Sequence, residues 1–325
     1  MNIELIRAAA LRVKGHARMT PLLNSPFLDD IAGRKVWVKP ECLQHTGSFK
    51  FRGAWSAVSA LDKDVRARGV IAFSSGNHAQ GVALAAAQHN TTAVIIMPGD
   101  APVLKIENTR ALGAEVVLYD RNTEDRDKIG DRLARDRGLT LIKPFDDPNV
   151  IAGQATCGLE IAGQAKELGI TNADVLVCCG GGGLTSGIAL ALEADAPDMR
   201  VRPVEPDGFD DVKRSLISGQ IERNPTQSGS ICDAIITQQP GDLTFPILKR
   251  LCGPGISVSE HDALRAVALA FLRLKLVAEP GGAVALAAAL FKGDALSSDT
   301  VIVTISGGNV DPDMFARALN LQEPA

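Results

Sequence analysis

Short β-branched runs alternating with longer alanine- and leucine-rich ones predict an α/β chain: two doubly wound domains with mainly parallel sheets. Two observations carry this. The strand candidates are continuous apolar runs, the pattern of strands covered by helices on both faces. Three polar, glycine-bearing segments each begin where such a run stops, and an open parallel sheet collects its ligands outside the carboxyl ends of its strands.

In chain order the strand candidates are GVIAF (69–73), TAVIIM (92–97), AEVVLY (114–119), LTLIKP (139–144), DVLVCC (174–179), RVRPVEP (200–206) and TVIVTI (300–305). Between them, residues 81–89, 103–112, 123–137, 150–168 and 184–193 read as helices. A further apolar, strand-like run precedes the loop that holds Lys50. Prolines and aspartates interrupt the alternation at KPFDDPNV (143–150). The small domain is therefore expected over 61–146 and the large one over 1–60 and 147–325. Residues 223–242, RNPTQSGSICDAIITQQPGD, read as a long connection, and loops of that length are often functional.

Composition narrows the class of function. A net charge of −4 lacks the basic excess that phosphate backbones require, so nucleic acid is not an expected partner. No run approaches the roughly 20 apolar residues of a membrane span, and the N-terminal stretch lacks a signal peptide's apolar region. The six cysteines show no CxxC spacing, and reduced thiols in the cytoplasm are the simplest account. GxSxG, HExxH and P-loop patterns do not occur.

Chemistry concentrates after the strands. SSGNHAQG follows the first strand candidate, GGGGLTSG follows DVLVCC and SGGN follows TVIVTI. Gly180, Gly181, Gly182 and Gly183 strip the side chains from successive amides just before a helix begins at Leu184, which suits a phosphate held by N–H groups and the helix dipole. As a dinucleotide signature the segment fails, because GxGxxG from Gly181 would need glycine where Ser186 stands; one phosphate fits better than a pyrophosphate. Lys50, in HTGSFKFRGA, stands at a helix start, whose positive partial charge disfavours an ammonium group. Such a lysine has reason to be uncharged or shared with a ligand.

A lysine beside a phosphate cradle suits a cofactor with both a phosphate and an aldehyde, and pyridoxal phosphate has both. Here GSFKFRGA, SSGNHAQG, GGGGLTSG, EPGGA and SGGN, in this order over most of the chain, resemble the fold type II pyridoxal-phosphate enzymes, and within them the serine/threonine dehydratase and serine racemase branch. The resemblance implies that Lys50 holds the cofactor and moves the Cα proton. Phe49 packs on the ring, Asn77 meets the ring hydroxyl, Gly180 to Leu184 hold the phosphate, Glu279 of EPGGA belongs to the cofactor site, and Ser306 faces the pyridine nitrogen. Substrate carboxylate is expected on the Ser74, Ser75, Gly76, Asn77 and His78 turn. Ser75 matches the opposite-face acid/base of serine racemases, where threonine dehydratases have alanine. Glu205, Asp211 and the Phe209 carbonyl match a divalent-cation site, and oxygen ligands suit Mg2+ or Ca2+.

The activity this resemblance implies is elimination of water and ammonia from a 3-hydroxy amino acid such as serine or threonine, by a cytoplasmic homodimer. Serine racemisation and 3-hydroxyaspartate dehydration are the nearest alternatives, and a cofactor-binding protein without turnover is the alternative of another class. No regulatory segment follows the last motif, so feedback inhibition is not expected.

Overall fold

The structure is a computed structural model that describes residues 1–321 except positions 102, 121 and 227. Its strands are β1 (Leu23–Asn24), β2 (Lys35–Pro40), β3 (Val70–Phe73), β4 (Ala93–Pro98), β5 (Glu115–Tyr119), β6 (Thr140–Leu141), β7 (Ala173–Cys178), β8 (Met199–Pro206), β9 (Ile256–Val258) and β10 (Thr300–Ile305). They form a six-stranded sheet in the order β1-β2-β10-β7-β8-β9 and a four-stranded sheet in the order β5-β4-β3-β6. Every pairing is parallel except that of β1 with β2. The expected class, α/β with mainly parallel sheets, is what the chain adopts.

The continuous apolar strands are apolar because both faces are covered. On β7, Val175 and Val177 share a core with Cys157, Ile161 and Ile188 of the helices Pro148–Glu167 and Gly183–Asp195. The alternate residues Leu176 and Cys178 share another with Leu264, Val267 and Val284 of the helices Glu260–Leu274 and Pro280–Phe291. With a side-chain period of two, a strand covered on both sides needs an apolar residue at every position. The four-stranded sheet has its own core, in which Val70, Ala72, Ile95 and Met97 pack with Phe51, Ala54 and Val58 of the helix Lys50–Ala60.

Three boundaries differ from expectation by three residues or more. LTLIKP contributes only Thr140 and Leu141 to the sheet. The Ile142 N–H still reaches Ile71, but Pro144 has no N–H to continue the ladder and its carbonyl turns to Lys50. The helix expected from Gly81 begins at Asn77, so half of the polar SSGNHAQG segment is helical. The helix expected from Thr123 begins at Arg126, where Asp125 caps the N–H groups of Asp127 and Lys128. The short strands β1 and β9 carry too few residues for a pattern, and β2 is the apolar run ahead of Lys50.

Candidate active site

A cleft of about 540 Å³ opens where the ends of β3 and β7 approach each other, a size that suits a small ligand with a cofactor. Phe49, Lys50, Ser74, Ser75, Gly76, Asn77, His78, Gly180 to Leu184 and Glu279 all line it, so segments from both sheets converge as the sequence predicts. Ser306 is buried at the end of β10, outside the lining; Cys178 lines the cleft, and the Ser306 hydroxyl lies beside its thiol.

Lys50 is the first residue of the helix Lys50–Ala60. Its Nζ donates to the Pro144 carbonyl at 2.8 Å and lies 5.1 Å from the centre of the Phe49 ring. Burial lowers the amine to about 8, against a smaller opposing effect of Glu279. The helix start and the half-apolar surroundings therefore act together on one lysine, favouring the uncharged amine. The backbone is held tightly as well: a Cβ on Gly81 would stand 3.1 Å from the Lys50 carbonyl carbon.

The glycine loop leaves β7 and enters the helix Gly183–Asp195. Among the described residues the N–H groups of Gly180 to Leu184 have no hydrogen-bond partner, while the Gly181 carbonyl accepts from Thr244 Oγ1 and the Gly241 N–H. Free amides at a helix start facing a cleft fit a phosphate. The absence of side chains has a second cause that sequence reasoning missed. A Cβ on Gly181 would meet the Phe145 ring at 2.4 Å, and one on Gly180 would meet the Ile235 carbonyl at 2.8 Å. Gly182 alone has a left-handed backbone, with φ at 91°.

The turn after β3 is less open than expected. The Ser74 hydroxyl accepts from the Gly76 N–H at 3.1 Å. His78 is buried with Nε2 2.8 Å from the Ile142 carbonyl, so that nitrogen carries the proton, and burial followed by the charge of Lys50 pushes the ring down to about 3. It is a neutral packing residue, and its Nε2 is not offered to a substrate. Asn77 Nδ2 donates to Glu279 at 2.6 Å, and Asn77 Oδ1 accepts from Asn309 at 2.7 Å. Asn309, the last residue of the SGGN motif, is thus a site residue that the sequence displayed without revealing its partner. Burial pushes the Glu279 carboxyl up to about 7, with the Asn77 hydrogen bond opposing. The Ser75 hydroxyl has no partner among the described residues and faces the cleft edge.

Two cations not anticipated from sequence also line the cleft, Lys105 of the helix Val103–Ala111 and Arg126 of the helix Arg126–Arg137; Lys105 Nζ lies 3.3 Å from Asp233. They follow β4 and β5, and only folding of the four-stranded sheet brings them to Lys50.

Glu205, near the end of β8, and Asp211, at the start of the helix Asp211–Ser218, are both buried. Glu205 accepts the Val212 and Lys213 N–H groups at 2.9 and 2.7 Å. Asp211 Oδ1 accepts from Asn224 at 2.6 Å, and Asp211 Oδ2 is buried without a partner. Burial, then the neighbouring charge of Asp211, pushes Glu205 well above the usual carboxylate range; burial raises Asp211 to about 7. Two buried acids with an unanswered oxygen fit a hard cation. Among the described residues no group of three or more His, Cys, Asp or Glu side chains is assembled as a metal site, so any further ligands are backbone carbonyls or water. Phe209 is buried in the turn that leads to Asp211.

Residues 13–307 match the family described as pyridoxal-phosphate dependent enzyme. Over 319 residues the chain is 43% identical to an L-threo-3-hydroxyaspartate ammonia-lyase of Pseudomonas sp, covering 97% of both chains. It is 39% identical to a serine racemase of Schizosaccharomyces pombe, covering 97% of this chain and 96% of the relative. The crystal structure of threonine deaminase from T.th. superposes with a TM-score of 0.90 at 43% identity, over 96% of this chain and 99% of that one.

Proposed function

The chain belongs to the pyridoxal-phosphate dependent enzyme family, and from that membership we propose that it is an ammonia-lyase that removes water and ammonia from a 3-hydroxy amino acid to leave a 2-keto acid. The observation that carries this reading is the placement of a deprotonation-prone Lys50 and the unpartnered amides of Gly180 to Leu184 on one cleft. Bound there, the cofactor supplies the electron sink that makes the substrate Cα–H acidic.

Lys50 would hold the cofactor through Nζ, and the same Nζ, uncharged, would be the group that takes the substrate's Cα proton. The amides and the positive end of the helix Gly183–Asp195 hold the phosphate, and Phe49 covers the ring. Asn77, fixed by Glu279 and Asn309, presents its side chain to the ring hydroxyl, and Ser306 serves the ring nitrogen. A neutral hydroxyl there would stabilise positive charge on the ring less than a carboxylate would. The first N–H groups of the helix Asn77–Gln88 receive the substrate carboxylate, which leaves the Ser75 hydroxyl for Cα.

Within this class, Lys105 and Arg126 on the cleft wall favour a substrate with a second carboxylate on Cβ, as in 3-hydroxyaspartate. The test is keto-acid formation from L-serine, L-threonine and the 3-hydroxyaspartates, with wild type and Lys105→Met. Turnover of hydroxyaspartate that falls about tenfold or more in the variant while serine turnover holds supports the reading. Equal loss on both substrates removes it, and no keto acid from any of them removes the ammonia-lyase assignment. Glu205 and Asp211, with the Phe209 carbonyl, are proposed to hold Mg2+ or Ca2+, supported by the unanswered Asp211 oxygen.

A further inference from the structure

Residues 223–244 run from the buried acid pair to the glycine loop and touch both. At one end is Asn224, only 3% exposed, whose carboxamide and backbone N–H are all hydrogen-bonded. Its Nδ2 donates to Asp211 Oδ1 at 2.6 Å and to the Thr237 carbonyl at 2.8 Å. Its Oδ1 accepts from Arg214 at 2.5 Å, and its N–H donates to the Gln238 carbonyl at 2.8 Å. At the other end the segment closes over the glycines. The Ile235 carbonyl lies where a Gly180 side chain would be, and the Gly241 N–H and Thr244 hydroxyl both donate to the Gly181 carbonyl. Between these anchors, Ser228, Gly229, Ser230, Ala234, Ile236 and Thr237 form one wall of the cleft.

We propose that Asn224 is a positioning residue through which a divalent cation on Glu205 and Asp211 fixes the cleft wall and the phosphate-holding loop. The inference rests on the cation reading above and adds to it the route by which the ion is felt at the cofactor site. One carboxylate oxygen of Asp211 is committed to Asn224 and the other faces the acid pair without a partner. A cation that takes the second oxygen orients the whole carboxylate, and the carboxylate orients the carboxamide that pins Thr237. Without the cation the second oxygen has no such hold, and the carboxylate passes less order on to the carboxamide. Among the described residues between 219 and 243 no helix or strand is formed, so the segment takes its order from such anchors.

The experiment pairs calorimetric titration of Ca2+ and Mg2+ with hydrogen exchange of the peptide 223–244, on the full chain loaded with pyridoxal phosphate. Wild type, Asn224→Ala, Asn224→Ser and Asp211→Ala are compared, and Asn224→Ser is the milder change if alanine impairs folding. In wild type the cation should bind and slow exchange of the segment about tenfold or more. Asn224→Ala and Asn224→Ser should still bind the cation, about 10–100-fold more weakly than wild type, yet lose that protection even when saturated with it, and Asp211→Ala should lose both. Cation binding with undiminished protection in both Asn224 variants overturns the proposal and leaves the cation site standing. Absence of cation binding in wild type overturns the site and the proposal together, and leaves the ammonia-lyase reading to its own assay.

Discussion

Burial alone would make Lys50 a poor cation; what keeps its amine near 8 rather than lower is the charge of Glu279. The uncharged amine is the form that bonds to an aldehyde, so the uptake of pyridoxal phosphate by cofactor-free chain should rise with pH and level off above about 8. Glu279→Gln removes the charge that favours the ammonium form, and its midpoint should lie at lower pH than that of wild type, as read from the rate of appearance of the cofactor's visible band. A wild-type midpoint near 10.5, the ordinary lysine value, would refute the burial argument. Ser75 lines the same cleft, and the proposal for it is that its hydroxyl delivers a proton to the face of Cα opposite Lys50. Ser75→Ala should therefore lose any D/L interconversion of serine while still dehydrating at least one enantiomer, measured by chiral chromatography beside keto-acid formation. If wild type makes D-serine faster than pyruvate, racemisation takes the place of elimination as the main activity.

The glycine loop has a packing reason for its missing side chains that its own sequence does not display. Four glycines before a helix announced a phosphate cradle, and their unpartnered amides fit one, but the space beside Gly181 is filled by Phe145. A methyl group there should cost about 1–3 kcal/mol by overpacking. Gly181→Ala should accordingly lose thermal stability and cofactor affinity together. Combined with Phe145→Ala it should recover both, relative to Phe145→Ala alone, in thermal melts and cofactor titrations. Recovered stability with cofactor affinity still lost would mean that the missing side chain serves the phosphate directly. What the sequence displayed were features carried by adjacent residues: apolar runs, the glycines, the lysine in GSFKFRGA. What it hid depends on distant partners. Asn309 gains meaning only beside Asn77, Phe145 only over Gly181, and Asn224 sits in an aperiodic stretch whose role is set by Asp211 and Thr237.

Across the whole molecule the two sheets meet around a buried cluster of charges just behind the lysine. Arg52, in the helix that begins at Lys50, belongs by position to the core of the four-stranded sheet and reaches Glu41, immediately after β2, with Nε and Nη2 at 2.7 and 2.8 Å. It also donates to Glu160 at 2.6 and 2.9 Å and to Thr156 Oγ1 and the Arg18 carbonyl, each at 3.2 Å, and Lys39 completes the cluster by donating to Glu160 at 2.7 Å. Two cations and two carboxylates leave no net charge, so the cluster is tolerable in a dry interior while intact and costly when one member is removed. Arg52→Ala should lower stability by about 3–5 kcal/mol, more than any single contact at the cleft rim. The pH dependence follows from Glu41. Burial raises its carboxyl, the charge and hydrogen bonds of Arg52 lower it, and the net position is below the usual 4.5. A carboxyl lowered in the folded state binds fewer protons there than in the unfolded chain, so its stabilisation is present above 4.5 and is lost as pH falls through the lower folded value. In Arg52→Ala that lowering is gone and buried Glu41 retains a proton to higher pH, so the stability difference between the two proteins should be largest at neutral pH and shrink below 4.5. Urea unfolding of both proteins from acid to neutral pH measures this difference. A difference that stays constant with pH would place the cost of the substitution in lost packing rather than in the charge cluster.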